Sequence, residues 1–352
     1  MTTVPAASMN GMVLADGWKV TGPAPKKPSS TGGCFSYGYF VEHESGRKGF
    51  LKALDFSRAL RSGNVLSELK KATDAFSHEQ MILAACKSFK MTRVVHAIAD
   101  GQALVDPLSP IGEVPYFIFD LADGDIRGAL DLSGKVDVAW ALRTLHQISV
   151  GLLQLHSKQM AHQDLKPSNV LTFSDYGSRV ADLGCASVEG RGGPRDSLNF
   201  AGDPSYAPPE HLYGYLLPEW SDRRMAGDAF LFASMIVFLF SKASICQMLF
   251  TRLSEAHRPP TWNGKYAGTF EEILPYLNNA FDEVIRLFES DCSGAFSGDL
   301  TRIVRELGNP DPNRRGSAAN RSANTHPCNL ERYVSELNLL ASRAELGLSG
   351  RS

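Results

Sequence analysis

Asp164, Lys166 and Asn169 fall within one short run, Ala161-His162-Gln163-Asp164-Leu165-Lys166-Pro167-Ser168-Asn169, and a second carboxylate, Asp182, follows thirteen residues later in Asp182-Leu183-Gly184. Few reactions need that set together. Transfer of a phosphoryl group to a hydroxyl does: a carboxylate orients the hydroxyl and takes its proton, and a cation balances the moving charge. An amide oxygen and a second carboxylate suit a hard divalent ion completed by phosphates.

The elements that would position these residues can be read from periodicity. Residues 1 to about 12 are small and polar and are expected to be disordered. Trp18-Lys19-Val20 reads as a first strand, and Pro23 to Ser30 as a loop, because its prolines cannot sit in a central strand. Tyr37–Val41 and Lys48–Leu54 read as strands joined by the turn Glu44-Ser45-Gly46-Arg47. Glu68 to Cys86 has helical spacing, and Thr92 to Ala99 and Tyr116 to Phe119 are strand-like. Val136 to Lys158 is a long amphipathic helix, followed by a hairpin of Val170–Phe173 and Ser178–Ala181. Further helices are expected near 228–250, 268–290, 298–307 and 329–346. The division is thus a strand-rich lobe over 13–120, a mostly helical lobe over 121–346 and a short tail, 347–352.

The chain has 352 residues, 43% apolar and 21% charged, in the range of an ordinary globular protein. A net charge of −2 gives no global field for nucleic acid or an anionic membrane. Six scattered cysteines form no CxxC pair or Cys/His cluster, and are expected as free thiols in a reducing, cytoplasmic setting. The first residues lack the basic and apolar regions of a signal peptide. Residues 229–250 are apolar enough to raise the question of a membrane span; Lys242 near the middle and several small polar residues favour a buried core helix.

In their order and spacing, the two runs resemble the catalytic loop and metal-binding motif of eukaryotic-type serine/threonine protein kinases. The resemblance extends over roughly residues 14 to 340 and implies an α+β, two-lobed fold that uses ATP and Mg²⁺ and acts on Ser/Thr hydroxyls of protein substrates. It assigns Asp164 to the acceptor hydroxyl, Lys166 to the transferring phosphate, and Asn169 and Asp182 to Mg²⁺. His162 would pack beneath the metal motif. Lys52, in the apolar strand Phe50-Leu51-Lys52-Ala53-Leu54, would hold the α- and β-phosphates; taken alone it reads as a snorkelling surface lysine. Glu79 is preferred as its helix partner over Glu68. Gly32 and Gly33 would cover phosphates with backbone amides. Phe119 would sit at the back of the adenine pocket, with the backbone of Asp120 and Ala122 reading the adenine edge. Asp125 would meet ribose or cap the next helix. Glu210 requires a buried cation, for which Arg315 stands at the family's late arginine position, and Asp228 resembles the residue that ties the apolar helix to the catalytic loop.

Several positions depart from the family pattern. Thr31 and Ser36 stand where loop glycines are expected. Gln163 replaces the arginine that receives an activation-segment phosphate in regulated members, so activity is expected to be set without that switch. Leu183 replaces Phe, a volume-preserving change. Asp203 occupies a position usually held by Thr, where it could pair with Lys166 or repel Asp164. The wording of the motifs resembles bacterial or phage members. Two other readings stand beside an active protein kinase: a pseudokinase that binds nucleotide and scaffolds partners, and a kinase acting on a small molecule.

Overall fold

The computed structural model describes residues 4–25, 36–130, 134 and 136–347. The chain divides into two compact units, residues 1–90 with 95–123, and residues 91–94 with 124–352.

The first unit contains β1 (Trp18–Pro23), β2 (Ser36–His43), β3 (Lys48–Leu54), the short α1 (Ser57–Leu60), the long α2 (Val65–Ser88), β4 (Ala99–Leu104) and β5 (Glu113–Asp120). Its five strands form one antiparallel sheet in the order β1-β2-β3-β5-β4. Strand alternation separates two faces. Tyr39, Leu51 and Ile118 stand in register across three strands and are buried. In the neighbouring row Gly38, Lys52 and Phe117 stand in register, and Phe117 stacks on Phe76 of α2 with ring centroids 4.7 Å apart. Asn64 caps α2, its side chain accepting the Ser67 N–H.

Two expectations for this unit are corrected. Residues 4–12 are ordered rather than disordered: Pro5–Ala7 forms a 3-10 turn, Met9 is fully buried, and the Tyr39 hydroxyl donates to Ala6 O at 2.8 Å. Small apolar side chains here cover the Leu51 face of the sheet, giving the segment a reason to fold. Thr92–Ala99 is not a strand. Arg93 O instead accepts the Val180 N–H at 2.9 Å, and the Arg93 N–H donates to Gln154 Oε1 at 3.0 Å, so residues 91–94 join the second unit. The strand is β4, at the sheet edge, and its polar Asp100-Gly101-Gln102 conceals it from hydropathy patterning.

The second unit contains β6 (Gly124–Asp125), α3 (Ile126–Ala129), α4 (Val138–His156), β7 (Met160–Ala161), β8 (Val170–Phe173), β9 (Gly177–Val180) and β10 (Ser187–Val188). Then come α5 (Pro209–Leu212), a π-helical turn (Ser221–Met225), α6 (Ala226–Ser241), α7 (Ile245–Phe250), α8 (Phe270–Asp291), α9 (Ser297–Leu307), α10 (Ala318–Ser322) and α11 (Glu331–Glu345). β7 pairs with β10, and β6, β8 and β9 form a small sheet, so the catalytic run lies between β7 and β8 and Asp182-Leu183-Gly184 lies between β9 and β10.

Residues 221–241 are long and apolar enough to cross a membrane by length and composition, but every residue from Ala226 to Leu239 is buried among the helices of this unit. The apolar stretch is two helices rather than one. Lys242 adopts a left-handed conformation (φ 61°), and Ser244 then caps α7 by accepting the Gln247 N–H. Its cap offers the backbone a better partner than a continued helix does. α8 opens with a reciprocal capping box between Thr269 and Glu272.

Candidate active site

In the first unit, Lys52 Nζ donates to Glu79 Oε1 at 2.8 Å, and the Glu79 side chain is nearly buried. Strand alternation turns Lys52 away from the Leu51 face, and the Phe76–Phe117 stack brings α2 onto its side. Glu68 is engaged elsewhere, with Lys71 on the exposed surface of the same helix. Asp120 turns its side chain to Arg47, whose Nε lies 3.2 Å away. Phe119 is half-buried beside Phe117, and Ala122 lies in the link after β5. Gly32 and Gly33 lie outside the described residues.

In the second unit, the catalytic run is pinned from below by Asp228 at the start of α6. Its carboxylate accepts the N–H groups of His162 (2.7 Å) and Gln163 (2.8 Å) and a bond from His156 Nε2 (2.9 Å). Burial alone would push Asp228 up, but these donors outweigh it and hold the carboxyl below its ordinary value. Gln163 takes a left-handed backbone (φ 66°) to present both N–H groups. His162 Nδ1 accepts the Asp164 N–H at 3.2 Å, which makes Nε2 the donor to Ala181 O at 2.9 Å. The ring thus links the catalytic run to the residue before Asp182.

Asp164 is nearly buried and fully engaged. Oδ1 accepts the Asp203 N–H at 2.8 Å; Oδ2 accepts Asn169 Nδ2 at 3.0 Å and faces Lys166 Nζ at 3.1 Å. Asn169 Nδ2 also donates to Asp164 O at 2.8 Å, and Asn169 O accepts the Ala181 N–H at 2.8 Å. Asp182 follows, in a left-handed conformation (φ 64°) that aspartate tolerates better than most residues. Leu183 is fully buried in the turn after it. Burial raises the Asp164 pKa; the Lys166 cation opposes this, and the negative charge of Asp182 adds to it. Burial disfavours charged Lys166, but Asp164 and Asp203 outweigh that and hold its pKa above the ordinary lysine value.

Asp203 answers one open question. Its carboxylate lies 3.7 Å from Lys166 Nζ, so it pairs with the lysine. Asp125 is the cap of α3, accepting the Gly128 N–H at 2.8 Å. Glu210 and Arg315 form a buried two-pronged pair at 2.7 and 2.8 Å, with the guanidinium over the Phe230 ring. Burial would raise Glu210, but Arg315 holds it below its ordinary value.

Two residues escaped the sequence reading. Gly202 packs so tightly on the catalytic run that an added Cβ would lie 2.3 Å from Gln163 O and 2.8 Å from Asp164 Oδ1. Arg224, in the π-helical turn, is buried and reaches Gln163 Oε1 at 3.2 Å. A glycine two residues from a proline carries a weak signal for the first; nothing local marks the second.

The protein kinase domain family matches residues 58–327, more than half of the chain. The chain therefore belongs to the eukaryotic-type protein kinase family. Lys52 lies outside the matched range. Among curated relatives, receptor-like protein kinase 5 of Arabidopsis thaliana is 31% identical over 157 residues, 42% of this chain and 15% of the relative. Serine/threonine-protein kinase par-4 of Caenorhabditis elegans is 30% identical over 104 residues, 28% of this chain and 16% of the relative. Mitogen-activated protein kinase 17 of Arabidopsis thaliana is 26% identical over 123 residues, 34% of this chain and 25% of the relative. In each case the match spans a quarter of the relative or less.

Proposed function

We propose that this protein is an active serine/threonine protein kinase, moving the γ-phosphoryl group of ATP onto Ser or Thr hydroxyls of protein substrates. The observation that carries the reading is the way Asp164 is held: both oxygens are fixed by donors, with Lys166 Nζ 3.1 Å away. In this reading Asp164 orients the acceptor hydroxyl and takes its proton, and Lys166 offsets the charge on the transferring phosphate. Lys52, oriented by Glu79, holds the α- and β-phosphates. The backbone of Asp120 and Ala122 would read the adenine edge.

Asn169 and Asp182 are the residues that would hold Mg²⁺. They fit such an ion on two grounds. The negative charge of Asp182 raises the cost of ionising Asp164, a surplus of negative charge that a divalent cation offsets. Mg²⁺ characteristically uses one or two carboxylates plus phosphate oxygens, a donor set that Asp182 and the Asn169 amide oxygen would begin. When bound, the ion would withdraw charge from those oxygens; positioning falls to the side chains named above. A cytoplasmic setting belongs to the same proposal, supported by five described cysteines that are free thiols.

The second reading is a pseudokinase, favoured by one observation: Lys166 is clamped between two carboxylates, at 3.1 and 3.7 Å. The test is incubation of the purified chain with Mg²⁺ and γ-labelled ATP, alone and with a generic acceptor protein, beside Asp164→Ala. Label on Ser or Thr that vanishes in the variant is the expected result. Bound nucleotide without transfer from either form would favour the pseudokinase.

A further inference from the structure

Gln163 removes a guanidinium from the catalytic run, yet a guanidinium is present there. Arg224 enters from the π-helical turn ahead of α6 and is 1% exposed. A cation buried so deeply must be paired. Its Nη1 donates to Gln163 Oε1 at 3.2 Å, and its Nη2 donates to Asp196 O at 3.1 Å and lies 3.7 Å from Asp196 Oδ1. The Gln163 amide completes the link: Nε2 donates to Arg224 O at 2.8 Å and to Asp228 Oδ1 at 3.0 Å. The other Asp196 oxygen accepts the Gly193 N–H at 2.7 Å, closing a tight turn.

A continuous path of polar contacts therefore runs from Asp196, in the segment between Cys185 and Glu210, through Arg224 and Gln163 to Asp228, the carboxylate that holds the catalytic run. A second tie comes from the same stretch, where Trp220 Nε1 donates to Ser187 Oγ at 3.0 Å. Charge and size agree with the arrangement. An arginine at 163 would set two guanidinium groups side by side, whereas the shorter neutral amide accepts from one and fills the gap. The carboxylate that this cation meets is part of the chain rather than an added group.

We infer that Asp196 and Arg224 are positioning residues: a permanent ion pair that fixes the 185–210 segment against the catalytic run, in place of a phosphate and its receptor. Its functional meaning rests on the protein kinase reading, and the experiment separates the two. Amide hydrogen exchange is followed by mass spectrometry on the full chain, comparing wild type, Asp196→Asn and Asp196→Glu, each with and without phosphatase treatment. Asp196→Asn keeps size and removes charge at a half-buried site, so folding is retained. Exchange in peptides covering 189–201 should rise by about tenfold while α8 is unchanged, the behaviour of a locally released segment. Asp196→Glu should restore protection, and phosphatase should change nothing. In transfer assays Asp196→Asn should lower kcat by about tenfold at unchanged KM for ATP, because positioning and not nucleotide binding is lost. Wild-type exchange in Asp196→Asn, or release of the segment by phosphatase alone, overturns the inference. An exchange response with no transfer by any form supports the ion pair as the device that holds the segment and overturns the kinase reading instead.

Discussion

The backbone N–H of Asp203 donates to Asp164 Oδ1 at 2.8 Å while the Asp203 carboxylate lies 3.7 Å from Lys166 Nζ. One residue thus steadies the proposed base through its backbone and competes for the proposed phosphate-binding cation through its side chain. Asp203→Asn keeps the first contact and removes the competing charge. Freed of one partner, Lys166 should serve the phosphate better, and kcat should rise roughly threefold to tenfold, the scale of about 1 kcal/mol from one weakened charge pair. Steady-state kinetics with a protein acceptor measure this. A fall in kcat would mean that the carboxylate assists the reaction.

Gly202 has no room for a side chain. A Cβ there would meet the Gln163 carbonyl at 2.3 Å, and neither backbone can yield without moving Asp164. Gly202→Ala should therefore lower kcat by at least about 100-fold, as small displacements at a reacting centre do. Because the close contacts all lie at the catalytic run and the segment packed on it, thermal stability should fall less than activity. Parallel melting curves and initial rates check both; full activity in a folded variant would contradict the placement of this segment.

Glu79 and Glu68 lie on one helix but in different surroundings. Glu79 is nearly buried against Lys52, and Glu68 sits in an exposed pair with Lys71. Glu79→Gln should weaken nucleotide handling, raising KM for ATP or lowering kcat by about tenfold or more, since Lys52 loses the carboxylate that orients it. Glu68→Gln should change either by less than about twofold, the usual worth of an exposed pair. Equal effects would mean that Lys52 is not the phosphate-binding lysine.

The catalytic run was legible because its chemistry is local: Asp164, Lys166 and Asn169 occupy six consecutive positions, and their bonds to one another span at most five residues. Lys52 and Glu79 were legible through strand alternation and helix spacing, each a short-range regularity. Arg224 was not, because its partners lie 28 and 61 residues away and nothing in Ser221-Asp222-Arg223-Arg224 marks the burial. Met9 and Ala6 looked like a polar tail until the sheet face they cover was in place. β4 was hidden for the opposite reason: an edge strand tolerates polar residues, so hydropathy pointed upstream to Thr92–Ala99. Lys242 misled because the apolar pattern continues through it, while the cap at Ser244 decides where the helix stops.

Glu210 and His211 should set the acid limit of the fold. Glu210 has its pKa held below the ordinary value by Arg315, so the pair contributes stability above the unfolded-state value of about 4.3 and loses it as pH falls through the lower folded value. His211 is buried beside it, and burial lowers its pKa to about 4. The unfolded chain binds a proton there near pH 6.5, so stability should fall between about pH 6.5 and 4, by up to roughly 3 kcal/mol from this group. His211→Gln should flatten that upper limb. Glu210→Gln should destabilise the protein by about 3–5 kcal/mol near neutral pH, leaving Arg315 buried without its carboxylate. The deficit of Glu210→Gln relative to wild type should narrow below the unfolded-state value of about 4.3, where the unfolded wild-type chain takes up a proton at Glu210 that the folded chain does not. Urea unfolding at a series of pH values tests both limbs. A deficit that stays constant down to the acid transition would show that the Glu210 charge does not hold Arg315 in place.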